Sequence, residues 1–157
     1  MAILLHEEGY LDRARLYATD INKQALDIAE SAIYPALLLP DYARNYREAG
    51  GEREFEDYFS GGYAFAKLKG FLKDRITFAF HNLVTDGVFG EMNLVCCRNV
   101  LIYFDRPLQE RVLSLMSESL RHGGLLCLGN KETLAFSSVR SLFEPVDAKQ
   151  SVYRKCR

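Results

Sequence analysis

Apolar runs divide the chain into alternating strand-like and helix-like stretches. Met1 to Gly9 reads as the tail of an amphipathic helix, with Ile3, Leu4 and Leu5 apolar and Gly9 as its stop. Arg15 to Thr19, RLYAT, is a short β-type run ending at Asp20. Ile21 to Ile33 follows with apolar residues at helical spacing, Ala25, Ile28, Ala29 and Ala32. Pro35 ends that helix, and Ala36 to Ala49 reads as irregular or short-helical. Phe55, Tyr58 and Phe59 restore helical spacing before Gly61-Gly62, and Tyr63 to Leu72 alternates partly, as a small hairpin or edge strand does. RITFAF, Arg75 to Phe80, is a further strand. Met92 to Cys96 is apolar, nearly unalternating and too short for a helix, so it reads as a strand buried on both faces. Asp105 and Pro107 open a helix whose stripe is Leu108, Val112, Leu115, Met116 and Leu120, with Gly123-Gly124 as its end. Leu125 to Leu128 is another buried strand. Leu142 to Val146 and Ser151 to Lys155 form a hairpin around Asp147-Ala148-Lys149-Gln150. Strands alternating with helices predict an α/β class.

Composition narrows the function classes. A chain of 157 residues, 48% hydrophobic and 26% charged, suits one soluble domain. A net charge of -1 gives no basic surface for nucleic acid or an anionic membrane, so neither is expected as a partner. The apolar runs fall short of a bilayer span, and MAILLHEEGY turns acidic too early for a signal peptide, so a cytoplasmic protein without membrane insertion is expected. Cys96 and Cys97 are neighbours on a strand and point to opposite faces, far in sequence from Cys127 and Cys156. Reduced thiols are therefore expected, and His6, His81 and His122 lack the spacing of a metal site.

Candidate chemistry sits where strands end. Ligands of open α/β sheets bind beyond the carboxyl ends of strands, where Arg98-Asn99 follows Met92 to Cys96. The same pair can equally satisfy loop backbone and a neighbouring carboxylate. Asp20, ending its strand, can accept two ribose hydroxyls or can cap the helix that follows. Asn82, after RITFAF and His81, offers a donor and an acceptor to an adenine edge, or forms a turn.

CRNVLIYFD followed by RPLQERVLSLMSESLRHGGLLCLG resembles the CheR family of chemotaxis receptor methyltransferases, which use S-adenosylmethionine to methylate glutamate side chains. YATDIN with its Ala-rich helix, and HNL at His81 to Leu83, are similar to further family segments. The resemblance implies a Rossmann-like methyltransferase sheet closed by an antiparallel hairpin, with S-adenosylmethionine as cofactor and S-adenosylhomocysteine as product. It implies that Asp20 holds ribose, Asn82 and Leu83 hold adenine, and Arg98, Asn99 and Tyr103 line the pocket. Tyr103 is then near the methyl, with Arg98 orienting a carboxylate of cofactor or substrate. It also implies a small β-subdomain insertion at about 57–73 within a partial catalytic domain spanning 1–157, docking a chemotaxis-type receptor as methyl acceptor. Lys67, Lys69 and Lys73 there can meet acidic partner residues, or only protect an exposed edge.

Two departures from the family qualify that expectation. The first strand and its glycine-rich turn have no counterpart here, so the chain reads as the later part of the catalytic domain: a fragment or mis-called start, two flanking strands pairing directly, or a gap filled by a second copy in a homo-oligomer. Gly129-Asn130-Lys131-Glu132 stands where the family usually shows Gly-His-Ser-Glu. A non-catalytic signalling module, or a methyltransferase with another acceptor, is the alternative.

Overall fold

The computed structural model of the chain describes residues 1–88 and 90–157. It divides into two compact units, Met1–His81 and Asn82–Arg157.

In the first unit, helix α1 (Ala2–Glu7) leads through a 3-10 turn to strand β1 (Leu16–Asp20) and helix α2 (Lys23–Ser31). Strand β2 (Ile33–Pro35) and helix α3 (Leu39–Glu48) come next, then strands β3 (Phe59–Gly61) and β4 (Phe65–Leu68), the short helix α4 (Gly70–Lys73) and strand β5 (Ile76–Phe80). β1 and β5 pair in parallel, Leu16 with Ile76 through to Asp20 with Phe80, so Asp20 and Phe80 end the pair together. β2, β4 and β3 form an antiparallel sheet in that order.

Several expectations for this unit are corrected. The helix expected to run to Ile33 stops at Ser31, because Ala32 turns left-handed (φ 53°), and Ile33 already belongs to β2. Of the two readings of Ala36 to Ala49, the short-helical one holds: a 3-10 turn over Ala36–Leu38 leads into the ten residues of α3. Lys67 lies on β4, which is flanked on both sides, so the edge-protection reading does not apply to it. The core gathers Ala2, Leu11, Tyr58 and the fully buried Leu72. Beside it the Glu7 carboxylate accepts the hydroxyls of Tyr46 and Tyr58, which ties α1 to α3 and to the turn before β3.

In the second unit, strand β6 (Met92–Cys97) precedes helix α5 (Arg106–Ser119), strand β7 (Leu120–Leu128), and the hairpin of β8 (Phe143–Asp147) and β9 (Val152–Lys155). The sheet order is β6-β7-β9-β8, with β6 parallel to β7 and the other pairs antiparallel. Asp105 caps α5 as expected, its Oδ1 accepting the Leu108 N–H at 3.0 Å. The helix ends at Ser119, though, and β7 runs through Gly123-Gly124, where the register with β6 shifts between Met92 and Leu94. The Lys155 ammonium donates to the Ser117 and Leu120 carbonyls, satisfying acceptors that the helix end leaves open.

The burial expected on both faces of Met92 to Cys96 is not found. Cys97 is buried and Val95 partly so, packing with Val112, Met116, Leu126 and Leu128, while Leu94 and Cys96 are exposed. α5 supplies one covering layer, and among the described residues β6 has a strand partner only in β7. A strand with one neighbour and one covered face buries alternate residues, whatever its sequence. The Leu126, Leu128, Leu134 and Val112 side chains are wholly inaccessible, each worth about 1.5–3 kcal/mol of transfer free energy.

Candidate active site

β6 ends at Cys97 and hands the chain to Arg98 and Asn99 at the carboxyl end of its parallel pairing with β7. Asn99 takes the left-handed conformation (φ 59°), which Asn tolerates better than most residues. That turn aims three successive amides at one side chain. The N–H of Asn99 donates to Glu132 Oε2 at 3.0 Å, and those of Val100 and Leu101 donate to Oε1 at 2.8 and 2.7 Å. The Gly129 N–H, at the end of β7, donates to Oε2 at 2.6 Å. Glu132 is only 6% exposed. An ionised carboxylate has about four lone-pair sites, and this one meets four backbone donors. It thus joins the loops that leave two neighbouring parallel strands.

The side chains carried by this loop face outward. Arg98 is exposed, and its Nη2 donates to Asn130 Oδ1 at 3.2 Å. Tyr103, on a 3-10 turn over Leu101–Tyr103, is 81% exposed, and Asn99 is exposed as well. The far side of the turn is fixed by Gln109, whose Nε2 donates to the Leu101 and Phe104 carbonyls at 3.0 Å each. Arg98, Asn99, Tyr103 and Asn130 therefore share one doubly anchored rim.

Asn82 and Leu83 open the same unit. Asn82 Oδ1 accepts the Val84 N–H at 2.9 Å, and its carbonyl accepts the N–H of Asp86 at 2.8 Å, so the turn-forming role is real. The backbone N–H of Asn82 donates to Asp86 Oδ2 at 2.8 Å, and among the described residues its side-chain nitrogen has no partner, so it can donate to a ligand. Leu83 packs against the core of the second unit. Asp20 belongs to the first unit, exposed at the end of β1, with Oδ1 accepting the Asn22 N–H at 2.8 Å. It does not cap α2. Asn22 does, accepting from the Gln24 and Ala25 amides.

Glu132, Gly129 and Asn130 carry the geometry of the rim; the sequence marks their segment as a departure from the family pattern but gives none of the three a site role. The usable signal was an acid three residues after a strand-ending glycine, between the buried Leu128 and Leu134, a position where a charge needs partners. Two of the nearby thiols are held in the protonated form: burial and then the Glu132 charge push Cys97 up to about 12, and burial with Cys96 beside it pushes Cys127 up to about 11. Among the described residues no three His, Cys, Asp or Glu side chains are grouped to hold a metal ion. None of the described helices is long and apolar enough to cross a membrane.

Comparison with known families decides the class. The family model described as CheR methyltransferase, SAM binding domain, matches residues 1–152. The chain belongs to the CheR methyltransferase family. As a CheR chain it is similar to the putative methyltransferase Cher3 of Pseudomonas putida, with 50% identity over 155 residues, 99% of this chain and 57% of that protein. It is also similar to chemotaxis protein methyltransferase 1 of Vibrio cholerae, 31% identical over 150 residues, 95% of this chain and 52% of that protein. The chemotaxis protein methyltransferase of Vibrio anguillarum matches to the same extent. The chain thus spans about half the length of these curated relatives. S-adenosylmethionine is the cofactor of the matched CheR domain, and the mixed sheets with their closing antiparallel hairpin fit its Rossmann-like class.

Proposed function

We propose that this chain carries the later part of an S-adenosylmethionine-dependent methyltransferase acting on glutamate side chains of chemotaxis-type receptors. The observation that carries the reading is the rim at the end of β6, where Arg98, Asn99 and Tyr103 are presented outward on a loop fixed from behind by Glu132, within a chain matched by the family's cofactor-binding domain.

The donor set suits the cofactor. The Asn82 amide nitrogen and the Leu83 side chain suit an adenine, and Arg98 suits a carboxylate. Bound S-adenosylmethionine supplies a methyl on a sulfonium, already a good leaving group. The acceptor glutamate is ionised at neutral pH, so the chain needs no general base. With the cofactor bound, its chemistry would be transfer of the methyl to an ionised carboxylate oxygen with cleavage of the carbon–sulfur bond, which would balance as a methyl ester and S-adenosylhomocysteine with no proton exchanged. The work left to the protein is placement. The Arg98 guanidinium, held by Asn130, fixes a carboxylate, and Tyr103 borders the site of transfer. Asn130 in place of the family's usual His keeps an acceptor for Arg98 without a titrating group.

The test is transfer of labelled methyl from S-adenosylmethionine to receptor glutamates. Base-labile label lost with Arg98→Ala or Tyr103→Phe supports the reading. Label on another acceptor, or label unchanged in both variants, overturns it.

A further inference from the structure

We infer that Glu132 is a positioning residue for the cofactor rim, acting through the backbone of Asn99–Leu101. The inference rests on the methyl-transfer reading and adds a residue to it. Both oxygens of Glu132 are fully engaged: Oε1 by the amides of Val100 and Leu101, and Oε2 by those of Asn99 and Gly129. A carboxylate in that state has no lone pair left for a substrate proton, so it is not a general base. A buried charge would be costly without partners, and here the partners are the backbone of two loops.

The consequence is geometric. Three consecutive amides converge on one carboxylate with Asn99 left-handed, and that conformation sets the direction in which the Asn99 side chain and the loop beyond it leave the strand, while Arg98 is tied to the facing loop through Asn130. Gly129 completes the device. A methyl there would lie 2.5 Å from Asn99 Oδ1, 2.7 Å from Glu132 Oε2 and 2.9 Å from the Asn99 nitrogen. The two loop ends are therefore in direct contact, with the carboxylate between them. Charge on Glu132 is also felt by Cys97, whose thiol it helps to keep protonated.

Glu132→Gln keeps the shape but turns one acceptor into a donor facing two N–H groups. Lost charged hydrogen bonds of this kind weaken S-adenosylhomocysteine binding by about tenfold or more. Two measurements on the full chain separate positioning from general support. Amide hydrogen exchange in Glu132→Gln should quicken at Asn99, Val100, Leu101 and Gly129 while Val112 and Leu126 keep their rates. Calorimetric titration should show that Arg98→Ala weakens binding in the wild type but adds little in the Glu132→Gln background, since Arg98 is already displaced there. Uniformly faster exchange, additive losses, or unchanged binding in Glu132→Gln overturns the inference. Absence of S-adenosylhomocysteine binding both by this chain and by a form that also carries the glycine-rich turn, with the exchange pattern as expected, refutes the methyl-transfer reading and leaves Glu132 as an anchor of the loops alone.

Discussion

Gly129→Ala is a sharp probe of the rim because it adds one methyl and changes little else. Gly129 does not have a left-handed φ, so alanine carries no backbone strain there. The effect is steric. Of the three atoms closer than 3.0 Å to the new carbon, Asn99 Oδ1 can swing away, Glu132 Oε2 is held by two amides, and the Asn99 nitrogen is backbone. The loop after β6 must move. Overpacking of this kind costs about 1–3 kcal/mol, which in a chain of this size lowers the melting temperature by about 2–12 °C. Gly87→Ala is the matched control, since no described residue lies within 4 Å of its added carbon and its φ is not left-handed. Thermal unfolding by circular dichroism, with S-adenosylhomocysteine titration on the same samples, gives the comparison. The expected result is a lower melting temperature and weaker binding for Gly129→Ala, with Gly87→Ala unchanged in both. Equal melting temperatures and affinities for the two variants would refute the packing of these loops.

Three further outcomes follow from the cores of the units. Leu134→Ala, at a wholly buried position, should cost about 2–5 kcal/mol in denaturant unfolding; a loss no larger than that of the exposed Leu37→Ala would contradict it. Burial pushes the Glu7 carboxyl up, but the Tyr46 and Tyr58 hydroxyls more than offset this and leave it below its ordinary value of 4.5. A depressed folded value stabilises above the unfolded one, so stability falls as pH drops below that range. Glu7→Gln should flatten the urea midpoint against pH, and an unaltered slope would refute the coupling. With its thiol pushed up to about 12, Cys97 should resist iodoacetamide at neutral pH while exposed Cys96 reacts, as peptide fragmentation can verify; equal labelling of the native protein would count against this.

Strands and helices were legible because periodicity and caps are local. RLYAT, RITFAF, the Asp105 cap and the closing hairpin all lie where the pattern puts them. What failed depended on neighbours distant in sequence. The apolar run at Met92 to Cys96 says nothing of how many strands flank it, and the stripe through Leu120 continues into β7 because pairing with β6 outweighs helical propensity there. The rim was half legible: Arg98, Asn99 and Tyr103 follow from position and family likeness, whereas the three amides of Asn99 to Leu101 that converge on Glu132 bring together residues about thirty apart in sequence. Asn82 shows why one residue type supports two readings, since its oxygen closes a turn and its nitrogen remains a donor.

Calorimetric titration with S-adenosylhomocysteine tests the central claim most directly, using both this chain and a form that also carries the glycine-rich turn implied by the family likeness. The account predicts saturable one-to-one binding that Arg98→Ala and Asn82→Ala each weaken. Absence of binding in both forms, or binding indifferent to both substitutions, would contradict it.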